Sequence, residues 1–104
     1  MKQLQVHLSD AAVNDILEQA GWYEEQADRR LSKRWERAVQ AALLRIAKNP
    51  CLGTLCKFKA EELAKVRRVL VTGFPRHLIF YRFHGNELLI HRVIHGARDL
   101  ENLL

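Results

Sequence analysis

The stretch that decides the fold is "RHLIFYRFHGNELLIHRVIHGARD", residues 76–99. Two apolar runs with strand-like alternation meet at Gly85-Asn86, a pair that favours a two-residue hairpin loop. In such a hairpin Phe83 lies opposite Leu88, and the pairing continues outward one residue at a time. The sequence therefore predicts two antiparallel strands and also a definite register between them.

The register assigns each side chain of the hairpin to one of two faces, because opposed residues share a face and successive residues alternate. The face with the bulkier apolar groups is expected beneath helices; it holds Ile79, Tyr81, Phe83, Leu88, Ile90 and Ile94, with His77 and Arg92 at intervals. The other face holds Leu78, Phe80, Arg82, Leu89, His91, Val93 and His95. This second face is the candidate functional surface, because its charged and titratable groups stand among apolar neighbours on a side that two helices cannot also cover.

The N-terminal half supplies one strand and two helices. Residues 3–8, "QLQVHL", alternate as a half-buried strand does. An apolar stripe at helical spacing follows a Ser9 or Asp10 cap and predicts a helix ending near Gln26. A second stripe runs from Leu31 to Ile46 and is stopped by Asn49-Pro50, since the residue before proline is disfavoured in helical conformation.

The remaining segments complete one domain, residues 1–104. Residues 51–63 are predicted as a loop, and strands are predicted at 65–71, 77–84 and 87–95. The order strand, helix, helix, strand, strand, strand predicts an α+β domain in which a helical hairpin covers one face of a mostly antiparallel sheet. The last three strands form a meander, since tight hairpins join only antiparallel neighbours.

Composition limits the classes of function. The 104 residues are enough for one core, and 17 Lys and Arg against 12 Asp and Glu give a net charge of +5, which favours an acidic partner. No apolar run approaches a membrane span or a signal peptide, so we expect a cytoplasmic protein without membrane contact. Cys51 and Cys56 have neither zinc-ribbon nor redox-motif spacing, so we expect reduced thiols, no metal and no cofactor.

Two features of the helices admit a structural and a functional interpretation. Basic residues decorate the polar side of the second helix, which we interpret as a solvated face, with a nucleic-acid track as the alternative: Arg30, Lys33, Arg34, Arg37 and Lys48. Trp22 and Trp35 are interpreted as core or helix-hairpin contacts rather than as ligand platforms.

A third strand extends the candidate functional surface. If the connection 72–76 places Val71 opposite His77, then Arg68 lies across from Phe80 and faces the same way, while Arg67 points to the other side. With Arg98 nearby, this face would hold a positive patch suited to an anion or to stacked bases: Arg68, Phe80, Arg82, His91, His95 and Arg98. The alternative is an ordinary wet face of an antiparallel sheet with solvated arginines.

Residues 66–104 resemble the C-terminal half of the ParE branch of the RelE/ParE superfamily, the plasmid-stabilisation toxins of type II toxin–antitoxin modules. An arginine-bearing strand, an "R-H-x-I-F-Y-R" strand, a glycine hairpin and a closing "V-x-H-G-A-R-D" segment carry the likeness, here at Arg67, Arg68, Arg76, His77, Ile79, Phe80, Tyr81, Arg82, Val93, His95, Gly96, Ala97, Arg98 and Asp99. The N-terminal half agrees in pattern alone.

The resemblance implies a growth-inhibiting protein that is held inactive by a cognate antitoxin whose flexible segment wraps the toxin. ParE-like members are described as poisons of DNA gyrase, whereas RelE-like members cut messenger RNA on the ribosome. The resemblance favours the gyrase-directed function, because the last nine residues contain no aromatic residue or histidine, unlike the tails of the nucleases. The partners implied are the antitoxin and gyrase, or alternatively the ribosome and its mRNA.

The nuclease alternative needs a base, an acid and cations around the scissile phosphate. His95, Glu61 or Glu62 could serve as base or acid, and Arg68, Arg82 and Arg98 as the cations. For His95 we favour a structural role, in which its ring holds the turn at Gly96. A plain nucleic-acid-binding module is the third hypothesis, and it predicts salt-sensitive binding by the isolated chain.

Overall fold

The structure is a computed structural model that describes residues 4–96. Its elements are β1 (Gln5–Leu8), α1 (Asp10–Gln26), α2 (Arg29–Lys48), β2 (Thr54–Leu55), a 3-10 turn (Glu61–Leu63), β3 (Arg67–Val71), β4 (Phe74–His84) and β5 (Glu87–His95). All five strands form one sheet in the order β1-β5-β4-β3-β2; β1 is parallel to β5 and the other pairs are antiparallel. The α+β fold is confirmed, and the strand that the sequence did not predict is β2, which at two residues is too short to show alternation.

The start of α1 and the ends of both helices agree with the sequence prediction, and the structure adds the cap of α2. The Ser9 hydroxyl accepts a hydrogen bond from the Ala12 amide at 3.0 Å and caps α1. Asp28 caps α2 in the same way, with 2.9 Å between its carboxylate and the Leu31 amide. The second helix stops at Lys48, before Asn49-Pro50.

The main core lies between the helices and one face of the sheet. Trp35 of α2 is fully buried, and its indole nitrogen donates to the Ile16 carbonyl oxygen of α1 at 3.1 Å. This confirms the core assignment of Trp35. The same assignment is wrong for Trp22, whose side chain is 55% exposed at the end of α1.

Near its turn the β4–β5 hairpin follows the predicted register. Gly85 adopts φ 60°, the positive value that the first position of a type II′ turn requires, and Phe83 pairs with Leu88. The alternation places Tyr81 and Ile90 in the core beneath the helices, fully buried. The half of the hairpin formed by residues 81–90 is called the turn-proximal half below.

Beyond this point a β-bulge changes the register. Tyr81 pairs with Ile90, but Phe80 pairs with Arg92, so His91 is an extra residue on β5. The half of the hairpin beyond the bulge, residues 77–80 and 92–95, is called the distal half. One inserted residue exchanges the faces of all that follow, and the predicted faces of Val93, Ile94 and His95 are therefore wrong.

The core contacts show the exchange directly. Val93 is buried in the core beneath the helices, whereas Ile94 is buried on the opposite face together with Phe80. His95 pairs with His77, whose ring lies 4.9 Å from that of Trp35 in centroid distance. His95 thus stands on the helix side of the sheet.

The bulge lies where the neighbour of β5 changes from strand β1 to the start of helix α1. Strand β1 pairs only with residues 87–90 of β5, and the chain then turns into α1. Beyond residue 90, side chains of α1 take over from a neighbouring strand: the Ser9 hydroxyl donates to the His91 carbonyl oxygen at 2.6 Å, and the Asp15 carboxylate accepts from the Val93 amide at 3.0 Å. Backbone groups that a bulge leaves without ladder partners are thereby satisfied.

The second face of the sheet is partly covered. Residues 56–66 fold over it and form a small second core, whose buried members are Cys56, Leu63, Val66, Phe80 and Ile94. Tyr81 holds the start of this loop, because its hydroxyl accepts from the Gly53 amide and donates to the Pro50 carbonyl oxygen, both at 2.8 Å. The prediction that no element covers the second face is therefore wrong around Phe80.

The β3–β4 connection is shorter than predicted. Strand β4 begins at Phe74, which pairs with Val71, so the turn consists of Thr72 and Gly73 alone, the latter with φ 86°. A register irregularity next to this turn compensates for the difference. Arg68 therefore still pairs with Phe80, as the sequence predicts.

Candidate functional site

The second face of the sheet, called the far face below, carries an arginine pair beside the small core. Arg68 on β3 and Arg82 on β4 are both exposed. The Arg82 guanidinium lies 3.4 Å from the Glu62 carbonyl oxygen, a long contact that leaves most of its donors in water. Phe80 is only 5% exposed, so it supports the arginines from below and offers no surface for stacking a base.

His91 belongs to the same face and is less accessible than its neighbours. Its side chain is partly buried, and among residues 4–96 its Nε2 atom has no hydrogen-bond partner. Burial lowers the pKa of His91, and the positive charge of Arg82 lowers it further. At neutral pH this histidine is uncharged, so the positive charge of the far face comes from its arginines.

A groove on the helix side is the other candidate surface. The space between the end of α1, the β3–β4 turn and the end of β5 has a volume of about 750 Å³. We call it the helix-side groove; its lining includes Asp15, Trp22, Tyr23, Phe74, Arg76, His77 and His95. Exposed Trp22 stands at its edge with its ring 5.7 Å from that of Tyr23.

Two histidines from neighbouring strands meet in this groove. The rings of His77 and His95 are 5.7 Å apart between centroids and nearly perpendicular, at 79°. Burial against Trp35 lowers the pKa of His77, and repulsion from His95 lowers it further. His77 is therefore neutral at pH 7 and packs as an aromatic ring.

An ion pair behind the groove fixes α1 against the bulge. Arg92 donates two hydrogen bonds to the carboxylate oxygens of Asp15, both at 2.7 Å, and the two side chains are 13% and 7% exposed. These bonds raise the pKa of Arg92 further above its normally high value. The pair is structural, because Asp15 has its oxygens engaged by Arg92 and by the Val93 amide.

The structure therefore places the predicted site residues on two different faces of the sheet. Arg68, Phe80, Arg82 and His91 share the far face as predicted, and the inclusion of His95 among them is wrong because the bulge turns it to the helix side. Glu61 and Glu62 are exposed in the 3-10 turn beside the far face. Arg98 lies outside the described residues.

Sequence patterns missed the Asp15–Arg92 pair and the groove. Asp15 lies on α1 and Arg92 on β5, 77 positions away in the chain, so no local spacing connects them. The available signal was Arg92 itself, an arginine assigned to the apolar face beneath the helices. A charged residue on such a face requires a partner on the helix above it.

The described residues contain no arrangement that would hold a metal ion. Cys51 is exposed, Cys56 is buried, and both thiols are free. No group of three or more His, Cys, Asp or Glu side chains comes together within residues 4–96. Neither described helix has the length and apolarity needed to cross a bilayer.

Two comparisons with known proteins, one of sequence and one of structure, give matches for this chain. The chain matches the family model of the ParE toxin of the type II toxin–antitoxin system parDE over residues 6–100. It belongs to the ParE toxin family. No curated protein matches the sequence.

The fold is also found in a solved structure described as the chromosomal ParDE toxin–antitoxin system from P. aeruginosa. The alignment has a TM-score of 0.73 and covers 89% of this chain and 96% of the other. The sequences are 12% identical, so this likeness concerns the fold.

Proposed function

We propose that this ParE-family toxin inhibits growth by poisoning DNA gyrase and that a cognate antitoxin neutralises it. Membership of the family supports a toxin of a type II module. The choice of gyrase over messenger RNA is supported by the C-terminal sequence, which has no aromatic residue or histidine in its last nine positions, and by the position of His95. The sequence-based alternative, ribosome-dependent RNA cleavage, would need its acid, base and cations to surround one phosphodiester.

One observation supports a binding poison over a nuclease. His95, one of the three candidate acids or bases, lies on the helix side of the sheet, whereas the candidate cations Arg68 and Arg82 lie on the far face. The other two candidates, Glu61 and Glu62, are exposed beside the far face. A catalytic group must come within about 2.6–3.2 Å of the proton that it transfers. His95 therefore cannot act on a phosphate that these arginines hold, and a nuclease would have to use Glu61 or Glu62 for both proton transfers.

The helix-side groove is the surface that we assign to the antitoxin. Exposed Trp22 and partly buried Tyr23 provide aromatic anchors for an apolar segment in this groove of about 750 Å³. The net charge of +5 favours an acidic partner segment. The far face stays available for the target under this assignment.

The deciding experiment runs two assays on the same purified protein. Gyrase supercoiling and DNA-cleavage reactions are compared with primer-extension mapping of mRNA on programmed ribosomes. We expect inhibition of supercoiling at stoichiometric amounts and no cut in the mRNA. Ribosome-dependent cleavage without any effect on gyrase would overturn the proposal in favour of the nuclease.

Two variant sets locate the surfaces. Arg68→Ala/Arg82→Ala should reduce gyrase inhibition about tenfold or more if the far face contacts the target, and should leave binding of the antitoxin unchanged. Trp22→Ala should weaken binding of a co-expressed antitoxin. Leu44→Ala is the matched control for Trp22, because Leu44 is also 55% exposed but lies on α2 away from the groove.

A further inference from the structure

The first half of α2 carries a row of positive charge that the proposed function does not use. Five exposed cations lie within nine residues, and they alone line a shallow depression of about 480 Å³: Arg29, Arg30, Lys33, Arg34 and Arg37. We call this surface the α2 basic row. It is separate from the helix-side groove and from the arginines of the far face.

Repulsion within the α2 basic row destabilises the helix that carries it. Arg29 and Lys33, Arg30 and Arg34, and Lys33 and Arg37 are spaced four residues apart, where like charges repel on a helix. The first turn contains no acidic residue beyond the Asp28 cap, so Arg29 and Arg30 also lie at the positive end of the helix dipole. Within residues 4–96 none of the five makes an ion pair.

We propose that the α2 basic row binds the sugar–phosphate backbone of duplex DNA. Four of its five cations are arginines, whose planar donor pairs match phosphate oxygens. Neutralising phosphates releases counterions and needs no apolar contact. An acidic protein would instead need buried anchors for affinity, and the row presents none.

The dimensions of the row suit a DNA strand. Arg29 and Arg37 are eight residues apart, which corresponds to about 12 Å along a helix. Phosphates of one strand advance about 3.4 Å each along the duplex axis, so the row spans roughly three to four of them. The choice of DNA over RNA rests on the proposed function, because gyrase acts on duplex DNA.

The test measures DNA binding without gyrase. A fluorescent duplex of about 20 base pairs and mixed sequence is titrated with the full chain at several salt concentrations, followed by anisotropy. We expect log K to fall with log salt with a slope of about −3 to −4. Arg30→Gln/Arg34→Gln should reduce the magnitude of that slope by about 2 and weaken binding at least tenfold at low salt.

The control variant separates the row from overall charge. Lys48→Gln/Lys65→Gln also removes two charges from the net +5, but both lysines are exposed outside the row. This variant should bind within about threefold of the original chain. The Arg30→Gln/Arg34→Gln variant should be at least as stable to urea as the original, because it removes repulsion from α2.

Four results would overturn the inference: no binding at low salt, equal losses in the two variants, displacement by polyglutamate at matched charge, or tighter binding of duplex RNA. The outcome is distinguishable from that of the proposed function. DNA binding through the row without any effect on gyrase contradicts the proposed function alone. Inhibition of gyrase by a chain that does not bind DNA contradicts this inference alone.

Discussion

In the turn-proximal half of the β4–β5 hairpin, strand β5 lies between two strands, and every side chain faces the way that simple alternation predicts. In the distal half, β5 lies between β4 and the first turns of helix α1, and residues 93–95 of β5 lie on the faces opposite to those that alternation predicts. The amino-acid pattern looks alike in both halves. The difference teaches that register depends on the neighbour across the hydrogen-bonding edge as well as on the pleat.

The largest expected effect comes from removing the contact that holds the distal half. Asp15→Ala leaves Arg92 nearly buried without its carboxylate, which should reduce the free energy of unfolding by about 3–5 kcal/mol. Urea denaturation measures the loss. Hydrogen exchange should show that amides of residues 93–95 lose protection well before those of residues 88–90.

Two variants control this prediction. Glu24→Ala removes an exposed carboxylate from the same helix and should change stability by no more than about 0.5 kcal/mol. Asp15→Leu/Arg92→Met replaces both charges and should recover part of the loss, since paired apolar replacements of buried ion pairs are often neutral but the Val93 amide still loses its acceptor. Equal losses for Asp15→Ala and Glu24→Ala would mean that the ion pair does not hold the distal half.

A smaller effect tests the exchange of faces itself. Ile94 shares the far-face core with Leu63, whereas Val93 packs beneath the helices. A double-mutant cycle of Ile94→Ala with Leu63→Ala should give a coupling energy of about 0.5 kcal/mol or more. The cycle of Val93→Ala with Leu63→Ala should be additive within that amount, and the opposite pattern would restore the unbulged register.

The smallest effect concerns pH. Burial lowers the pKa of His77 in the distal half and of His91 at the bulge below the value that they have in the unfolded chain. Protonation therefore favours the unfolded chain, and stability that is full above the unfolded pKa of about 6.5 should fall as the pH is lowered through the folded values. The urea midpoint should decrease between pH 7.5 and pH 5.5.

Two variants test whether His77 causes this pH dependence of stability. His77→Phe keeps an aromatic ring against Trp35 and should make the decrease smaller. His84→Gln changes an exposed histidine at the turn and should leave the decrease as it is. An unchanged pH dependence in His77→Phe would assign the whole effect to other groups.

Much of the fold was predictable because it depends on local chemistry. The caps at Ser9 and Asp28, the stop at Asn49-Pro50 and the turn at Gly85 all depend on a few adjacent residues. The candidate site was predictable only in part. Arg82 keeps its predicted face because no irregularity lies between it and the turn at Gly85. Arg68 keeps Phe80 as its partner because the irregularity beside the β3–β4 turn offsets the shorter connection.

The sequence by itself determined the two helices, the order of the four longer strands, the β4–β5 hairpin and the family. Only the tertiary structure decided the inserted register of His91, the helix-side position of His95 and the covering of Phe80 by residues 56–66. Each of these depends on hydrogen bonds or packing between segments far apart in the chain, such as Ser9 with His91 and Asp15 with Arg92. Alternation along a strand contains no information about such partners, because it records only which residues are apolar and how they are spaced.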